Sequence, residues 1–336
     1  MDRVRLSRFA ASAAILGLVL SACSSGGTGG SASPAATSGA TAAATSSAAT
    51  GGDKGTVNIA INPWVGAEAN VAVVKRLLET KLGYKVNATE IAEELAWPGF
   101  ESGETDAILE NWGHPDLEQK YITEKKVAQD AGPNGVTGII GWYVPHWMVE
   151  QYPDILDWNN LNKYADMFKT TESGGKGQFL GSDPTFVTND EALITNLKLD
   201  YKVVYSGSEA ATITAYKTAT EQKKPLLGYF YDPQWLHSQI KLDKVNLPAW
   251  TEGCDADPKA VACDYPPYTL NKIVATKFAE TGGDAYTLVK NFSWTNEDQN
   301  VVADYITNGG MTADEAGDKW IADNEAKWKA WMPAGS

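Results

Sequence analysis

The sequence predicts an α/β protein built from two lobes. Short apolar strands alternate with segments of helical spacing along most of residues 56–331. Large aromatic residues follow several of these strands, in the turns where ligands bind to α/β sheets. The 336 residues, 43% of them hydrophobic, are enough to bury a substantial core and to form two lobes.

Residues 1–23 have the pattern of a lipoprotein signal peptide. Arg3, Arg5 and Arg8 precede the apolar run Phe9–Leu20, which is too short to remain as a membrane-spanning helix. The run ends in Leu20-Ser-Ala-Cys23, which resembles the bacterial lipobox, whose cysteine is linked to diacylglycerol. We therefore expect a lipid anchor on Cys23 at the extracytoplasmic face of the cell membrane. The alternative is an ordinary signal peptide with a chance cysteine.

Residues 24–55 predict a flexible linker. They are almost entirely Gly, Ser, Ala and Thr, a composition that cannot bury enough apolar surface to offset the entropy of ordering. A lipid on Cys23 followed by this tether would keep a folded body within a few tens of Å of the membrane.

The body that follows is acidic. The whole chain has 28 basic and 42 acidic residues, and without Asp2 and the three arginines of the leader these become 25 and 41, a net charge of −16. Nucleic acid is therefore not an expected partner. Arg76 is the one arginine after the leader, so we do not expect a cluster of guanidinium groups to bind a ligand.

Residues 56–141 predict the first lobe, in the order β-α-β-α-β. Its elements are the strand Thr56–Ile61, a helix over Ala67–Leu82, the strand Lys85–Thr89, a helix over Glu93–Ser102 interrupted near Pro98, and the strand Ala107–Trp112. This repeat favours a parallel sheet with right-handed crossovers. Trp64 and Trp112 should then lie at strand carboxyl ends on the same edge of the sheet.

Residues 142–235 predict the second lobe. The long apolar run Val136–Val144 ends at Pro145-His-Trp147 and is suited to cross between the lobes. The elements after it are helices near Leu161–Phe168, Asn189–Leu199 and Ser208–Lys223 and strands at Gly177–Leu180, Tyr201–Tyr205 and Leu226–Tyr231. They form a second β/α repeat, again with aromatic residues at its strand ends.

Residues 236–333 predict a return to the first lobe through a strand at Lys272–Ala275, followed by amphipathic helices. The helices are expected at Asp284–Phe292, Glu297–Asn308 and Thr312–Trp331, the last capped by Thr312 with Glu315. Trp320, Trp328 and Trp331 follow helical spacing there, and we interpret them as packing residues.

Cys254 and Cys263 lie in one Asp-rich loop. In an exported chain, two cysteines this close in sequence favour a disulfide. A two-cysteine metal site is the alternative, but no histidine accompanies the pair. Neither a metal nor another cofactor is expected.

Five aromatic residues follow predicted strands and could form one wall. They are Trp64, Trp112, Trp147, Tyr231 and Phe186. Each alone is typical of a core, but buried aromatics normally scatter over packing faces, whereas these follow turns on one edge. The faces of such rings attract a cation that has no N–H to donate, such as a trimethylammonium group, by about 0.5 to 2 kcal/mol per contact.

The order of the motifs resembles the substrate-binding proteins of glycine betaine, proline betaine and choline ABC transporters. The lipobox is followed by Asn62-Pro-Trp64, Glu110-Asn-Trp-Gly-His-Pro115, Val144-Pro-His-Trp147 and Tyr229-Phe-Tyr-Asp-Pro-Gln-Trp235. The resemblance covers most of residues 55–332. It implies a periplasmic-binding-protein-like fold, with a quaternary ammonium group held in an aromatic cage between two lobes. It also implies two partners, a membrane permease and a separate ATPase subunit.

The resemblance assigns the cage walls residue by residue. The strand-end tryptophan becomes Trp112, the first-turn aromatic Trp64, the crossover aromatic Trp147 and the late strand-end aromatic Tyr231. Phe186 matches a turn where some members place a tryptophan.

Two departures concern the polar end of the ligand. Choline binders often carry an acid two positions after the first-turn tryptophan, where this chain has Gly66, although Glu68 or Glu110 could substitute. Betaine binders often hold the carboxylate with backbone amides, histidine or basic side chains. Here the amides at residues 65–67 open a helix and could bind an anion, with His114 or His146 as partners. His114 could equally be a histidine without a ligand role.

The sequence therefore predicts a solute-binding protein and not an enzyme. Glycine betaine or a related quaternary ammonium compatible solute is the expected ligand, with choline, carnitine or another small solute as alternatives. A secreted carbohydrate-active enzyme is the remaining rival, because Glu93 and Glu94 could form a carboxylate pair. A solvated helix face is the simpler interpretation of these two, and the sequence contains no nucleophile elbow, metal-ligand set or phosphate-binding loop.

Overall fold

A mixed nine-stranded β-sheet organises residues 54–335, the part of the chain that the computed structural model describes. The predicted signal peptide, Cys23 and the linker up to residue 53 lie outside these residues. The strands are β1 (Thr56–Ile61), β2 (Lys85–Glu90), β3 (Ala107–Asn111), β4 (Ala128–Pro145), β5 (Gly177–Gly181), β6 (Tyr201–Tyr205), β7 (Gly228–Asp232), β8 (Leu242–Lys244) and β9 (Pro267–Ala275). Their order is β2-β1-β3-β9-β4-β7-β5-β6, and β8 pairs with β4.

The same residues form a series of mostly short α-helices. They are α1 (Val65–Leu77), α2 (Glu93–Ala96), α3 (Gly99–Ser102), α4 (Pro115–Glu118), α5 (His146–Gln151), α6 (Leu161–Tyr164), α7 (Asp190–Asn196), α8 (Glu209–Glu221), α9 (Thr276–Thr281), α10 (Gly283–Asn291), α11 (Asn296–Thr307), α12 (Ala313–Asp323) and α13 (Glu325–Trp328). Within residues 54–335, no helix has both the length and the apolar composition needed to cross a membrane.

The first β-α-β-α-β repeat folds as the sequence predicts. Strand β1 pairs in parallel with β2 on one side and with β3 on the other. The intervening helix is interrupted at Pro98, between α2 and α3, because proline cannot donate the backbone hydrogen bond that a continuous helix requires. Neighbouring parallel strands bring their carboxyl ends to one edge of the sheet, and the turns after β1 and β3 therefore meet there.

Strand β4 joins the two halves of the sheet. It begins at Ala128, well before the predicted start at Val136, and pairs in antiparallel fashion with β9 and with β7. The β4–β9 register shifts on either side of Pro133, which has no N–H for the ladder. Because proline usually ends a strand, the sequence did not indicate that β4 extends back to Ala128. The sheet is consequently continuous across the predicted lobes at residues 56–141 and 142–235.

The closing helices pack as expected. Trp320, Trp328 and Trp331 are all buried, and the rings of Trp320 and Trp331 stack with their centroids 5.6 Å apart. Thr312 and Glu315 form the predicted capping box. The predicted helix over Thr312–Trp331 breaks at Asn324, whose side-chain amide donates to the Trp320 carbonyl at 2.9 Å in competition with the helical bond.

The sulfurs of Cys254 and Cys263 are joined in the expected disulfide, with the two Cα atoms 6.3 Å apart. Cys263 is buried against the core, whereas the loop between the two cysteines is largely exposed. Packing against the core fixes the loop at Cys263, and the disulfide fixes its other end at Cys254.

Replacing both cysteines, in a Cys254→Ser/Cys263→Ser variant, should lower the free energy of unfolding by about 2 to 3 kcal/mol. The short loop then regains its conformational entropy in the unfolded chain. Urea denaturation followed by circular dichroism measures the change, with the reduced wild-type protein as the control. Equal unfolding midpoints for the variant and the oxidised wild type would contradict this account.

Candidate functional site

A cavity of about 780 Å³ opens where the turns after β1, β3 and β5 converge with β7. This volume lies within the usual range for sites that bind small ligands. Seven of its twenty lining residues are aromatic, namely Trp64, Trp112, Phe186, Tyr229, Tyr231, Tyr265 and Tyr268.

Trp64 and Trp112 reach the cavity for the reason that the sequence suggested. Trp64 lies in the turn between β1 and α1, and Trp112 follows β3 directly. Since β1 and β3 are parallel neighbours, their two tryptophans lie on the same edge. Gly138 on β4 makes room for the second ring, because a Cβ there would lie 2.3 Å from an atom of Trp112.

The aromatic rings meet edge to face. The Trp112 and Tyr231 centroids are 5.6 Å apart with planes inclined at 82°, and those of Trp64 and Phe186 are 5.5 Å apart at 89°. Tyr268, from β9, lies 5.6 Å from Trp112 on another side. Rings at right angles form the corners of a box, so several ring faces can surround one small group.

Glu110 holds both tryptophans from outside the cavity. Its Oε1 accepts hydrogen bonds from the indole Nε1 of Trp64 at 2.8 Å and of Trp112 at 2.9 Å, and its Oε2 accepts one from Asn70. Burial raises the pKa of the Glu110 carboxyl to about 7, although the two indole hydrogen bonds favour the ionised form. The carboxylate fixes the orientation of two cavity walls at once.

Glu209, the first residue of α8, holds a third wall. One oxygen accepts from the Tyr231 hydroxyl and, at 3.1 Å, from the Gln234 amide. The other accepts from the backbone N–H of Val65 at 2.8 Å. Burial raises the pKa of the Glu209 carboxyl as well. The Val65 amide that we predicted for a ligand carboxylate is thus occupied by a carboxylate of the protein itself.

His114 and Glu93 face the cavity as an ion pair. Their Nε2 and Oε1 atoms are 2.6 Å apart, and each residue is 5% exposed. Burial alone would lower the pKa of His114, but the carboxylates of Glu93, Asp116 and Glu118 together outweigh it, and the pKa is raised. The interpretation of Glu93 and Glu94 as one solvated face was therefore wrong for Glu93. Glu94 is exposed.

Three of the predicted site residues do not reach the cavity. Trp147 is the second residue of α5, and its indole donates to the Ala219 carbonyl at 3.0 Å. His146 contacts Asp243 at 2.6 Å instead. Gly66 is buried in α1, where a Cβ would lie 2.4 Å from the Gln299 amide nitrogen and 3.3 Å from a Glu110 oxygen. The absent side chain of Gly66 thus makes space for Glu110 and Gln299.

Sequence reasoning missed other wall residues. Tyr229 could have been found, because it shares a strand face with Tyr231 two positions on. Tyr265 and Tyr268 follow the disulfide loop, and nothing near them in sequence indicates a site. The Tyr265 hydroxyl donates to Asp190 at 2.8 Å and accepts from the Asn189 N–H at 2.8 Å. Burial raises the pKa of Asp190 to about 6.

The cavity is acidic at its polar edges. Glu93, Asp116 and Asp255 line it, whereas no lysine or arginine of residues 54–335 does so. Asp255 comes from the loop that the disulfide closes, so that loop forms part of the wall. His114 is the single lining residue that can carry a positive charge.

Comparison with known proteins places the chain in a family. The profile of the OpuAC family, described as the substrate binding domain of ABC-type glycine betaine transport systems, matches residues 55–323. The chain belongs to this family. Members of the OpuAC family are transport binding proteins and not enzymes.

Individual relatives agree with this assignment. A trimethylamine N-oxide-binding protein of Pelagibacter ubique is 26% identical over 192 residues, which span 55% of this chain and 61% of that protein. A glycine betaine/proline betaine-binding periplasmic protein of Salmonella typhimurium is 25% identical over 291 residues, 77% of this chain and 84% of the relative.

The fold is that of periplasmic-binding-protein-like structures. The crystal structure of lactococcal OpuAC, closed and complexed with glycine betaine, superimposes with a TM-score of 0.63 at 25% identity. The superposition covers 83% of this chain and 99% of the lactococcal chain. The α/β fold class predicted from the sequence is confirmed.

We expect the buried carboxyls to make the ligand-free protein less stable as the pH rises from about 4.5 to about 7. The folded pKa values of Glu110 and Asp190 are raised to about 7 and about 6, so in this range the folded state binds more protons than the unfolded state. Glu110 alone should lower the free energy of unfolding by on the order of 2 to 3 kcal/mol.

Urea denaturation at about pH 5 and about pH 7.5 measures this loss. Glu110→Gln and Asp190→Asn should each flatten the pH dependence, because each removes one titrating group. A wild-type stability that rises steadily across the interval would show that these carboxyls are ionised in the folded state.

Proposed function

We propose that this protein captures a quaternary ammonium solute, glycine betaine or a related compound, and delivers it to the permease of an ABC importer. The permease and a separate ATPase subunit would be its partners. The proposal rests on the aromatic box formed by Trp64, Phe186, Trp112 and Tyr231. These rings meet at right angles and line a cavity that no lysine or arginine of residues 54–335 lines.

The chemistry of such a box suits a methylated ammonium. The group offers no N–H for a hydrogen bond, and its diffuse charge is attracted by ring faces at about 0.5 to 2 kcal/mol per contact. Trp64, Trp112 and Tyr231 each present a ring to the cavity with the polar tip of the side chain already bonded to Glu110 or Glu209. These three residues therefore provide aromatic rings to the cavity and no free hydrogen-bond donors.

His114 is the candidate partner for the carboxylate of a betaine. It lines the cavity, and its raised pKa favours the charged imidazolium, which can attract a ligand anion. The ion pair with Glu93 already neutralises part of the positive charge of His114. A carboxylate would therefore compete with Glu93 for His114.

Choline is the second candidate, because the lining favours a ligand with net positive charge. Glu93, Asp116 and Asp255 outnumber His114, and a choline hydroxyl can donate to a carboxylate where a betaine carboxylate would be repelled. Carnitine belongs with the betaines in this respect, since it also carries a carboxylate. The name of the Pelagibacter relative adds trimethylamine N-oxide to the ligands to be tested.

We further propose that the protein is exported and held at the extracytoplasmic face of the cell membrane by a lipid on Cys23. The support is the order of basic residues, apolar run and cysteine in residues 1–23. The disulfide between Cys254 and Cys263 fits an oxidising compartment outside the cytoplasm.

Calorimetric titration with glycine betaine, choline, carnitine, trimethylamine N-oxide and a neutral sugar tests the proposed ligand class. At least one methylated ammonium compound should bind, and the sugar should not. Trp112→Ala should weaken that binding by about 1 to 3 kcal/mol, because a cation–ring contact and apolar contact area are lost.

Trp147→Ala is the matched control, since it removes another tryptophan that packs against the core but lies outside the cavity. It should leave the affinity unchanged. Equal losses from the two variants would show that the box is not the binding site, and binding of the sugar alone would contradict the proposed ligand class.

The membrane anchor is tested by Cys23→Ala. Without the thiol there is no thioether to diacylglycerol, so the protein should be released or remain as an unlipidated precursor. Fractionation of expressing cells with an antibody to the folded body measures this. Membrane retention equal to that of the wild type would contradict the proposed lipid anchor.

A further inference from the structure

Glu110 is a buried carboxylate without a positively charged partner. It is 1% exposed, and its hydrogen-bond donors are the indoles of Trp64 and Trp112 and the amide of Asn70, all of them neutral. No lysine, arginine or histidine within residues 54–335 forms an ion pair with it. Buried charges in proteins are normally paired with an opposite charge, and Glu110 has no such partner.

Its neighbours cannot supply the missing charge. The ionisable groups that act on Glu110 from the surrounding elements are Glu209 on α8, Glu93 on α2 and Tyr231 on β7. The first two are carboxyls, which repel a charge on Glu110, and the pKa of the Tyr231 hydroxyl is raised well above its usual value, so it is neutral. Gln299 on α11 completes the surroundings through Asn70.

The position of Glu110 indicates where the counter-charge belongs. The carboxylate is one hydrogen bond away from two ring systems that line the cavity. A cation held against their faces would lie within a few Å of the rings and close to the carboxylate beyond them, in a buried region where charges interact more strongly than in water.

We propose that Glu110 is a positioning residue whose charge becomes balanced by the ligand, so that binding of a quaternary ammonium group is thermodynamically linked to ionisation of Glu110. The inference rests on the proposed function, because it requires a cation in the aromatic box. It adds to that function a proton equilibrium: the bound cation favours the ionised carboxylate, and the protonated carboxyl disfavours the cation.

The linkage operates near neutral pH. Since burial raises the pKa of Glu110 to about 7, the ligand-free protein carries a proton there in a good part of the molecules at neutral pH, and binding must release it. If the ligand keeps Glu110 ionised throughout, affinity should fall about ten- to thirtyfold between about pH 8 and about pH 5.5. Glycine betaine and choline keep their own charge over this interval.

His114 is the competing explanation of such a pH dependence. It faces the cavity, its pKa is raised, and a proton gained there would also repel a cation. The experiment must therefore separate the two groups. Glu110→Gln keeps an oxygen that can accept both indole hydrogen bonds but cannot ionise, and His114→Asn removes the imidazole.

Asp106→Asn is the matched control. Asp106 precedes the same strand, β3, its pKa is also raised by burial, and its carboxylate accepts from the Asn58 N–H. It does not line the cavity.

Isothermal titration with glycine betaine and with choline, at about pH 5.5, 7 and 8, tests the proposal. Glu110→Gln should bind about tenfold more weakly than the wild type at about pH 8 and should lose most of the pH dependence. With choline, which has no carboxylate for His114 to bind, His114→Asn should keep a wild-type-like decrease, and Asp106→Asn should match the wild type with both probes. Titrations of the wild type at about pH 7 in phosphate and in Tris, buffers that differ in ionisation enthalpy, should show release of about half a proton per ligand bound.

The outcomes separate the inference from the proposed function. If the wild type binds either probe but Glu110→Gln retains the full pH dependence, or the two buffers show no proton release, the linkage is wrong and the binding function stands. If none of glycine betaine, choline, carnitine and trimethylamine N-oxide binds the wild type at any pH, both proposals fail. The buffer comparison applied to His114→Asn removes the competing imidazole, so proton release by that variant supports the linkage, and its absence contradicts it, even if Glu110→Gln does not fold.

Discussion

The site depends on the hydrogen bonds from two tryptophan indoles to the one carboxylate of Glu110. Trp64 is supplied by the turn after β1, and Trp112 by the end of β3. Oε1 of Glu110 accepts from both rings, which requires the two tryptophans to lie at the same edge of the sheet, and the parallel pairing of β1 with β3 places them there. Gly66 belongs to the same constraint, because any side chain there would press on Glu110 and Gln299.

This arrangement has an energetic cost that the ligand can offset. Glu110 and Glu209 are buried, and their donors are neutral groups, so ionising either one in the empty protein is unfavourable. A protein selected for stability alone would more simply fill these positions with apolar residues. The same two carboxylates orient Trp64, Trp112 and Tyr231 and place negative charge beyond their rings. On the proposed function, the empty protein is less stable than it could be because its cavity is arranged for a cation.

The sequence predicted the parts of this site that arise from local periodicity. Strand and helix alternation placed Trp64, Trp112 and Tyr231 at the edge where the cavity lies, and the disulfide followed from two cysteines in one loop. The contacts that organise the cavity could not be predicted, because they join distant positions such as Glu209 with Val65. Trp147 was misplaced for a local reason: the chain turns into α5 directly after Pro145, so the ring points to α8 and not along the strand. Tyr268 reaches the cavity through the antiparallel return of β9, which a strand pattern cannot indicate.

A crystal structure of the protein soaked or co-crystallised with the methylated ammonium compound that binds tests the central claim most directly. The account predicts the ammonium group inside the box, within about 6 Å of the ring centroids of Trp64, Trp112 and Tyr231, with both indoles still donating to Glu110. A ligand bound elsewhere, or one in the cavity with its ammonium directed away from these rings, would contradict it.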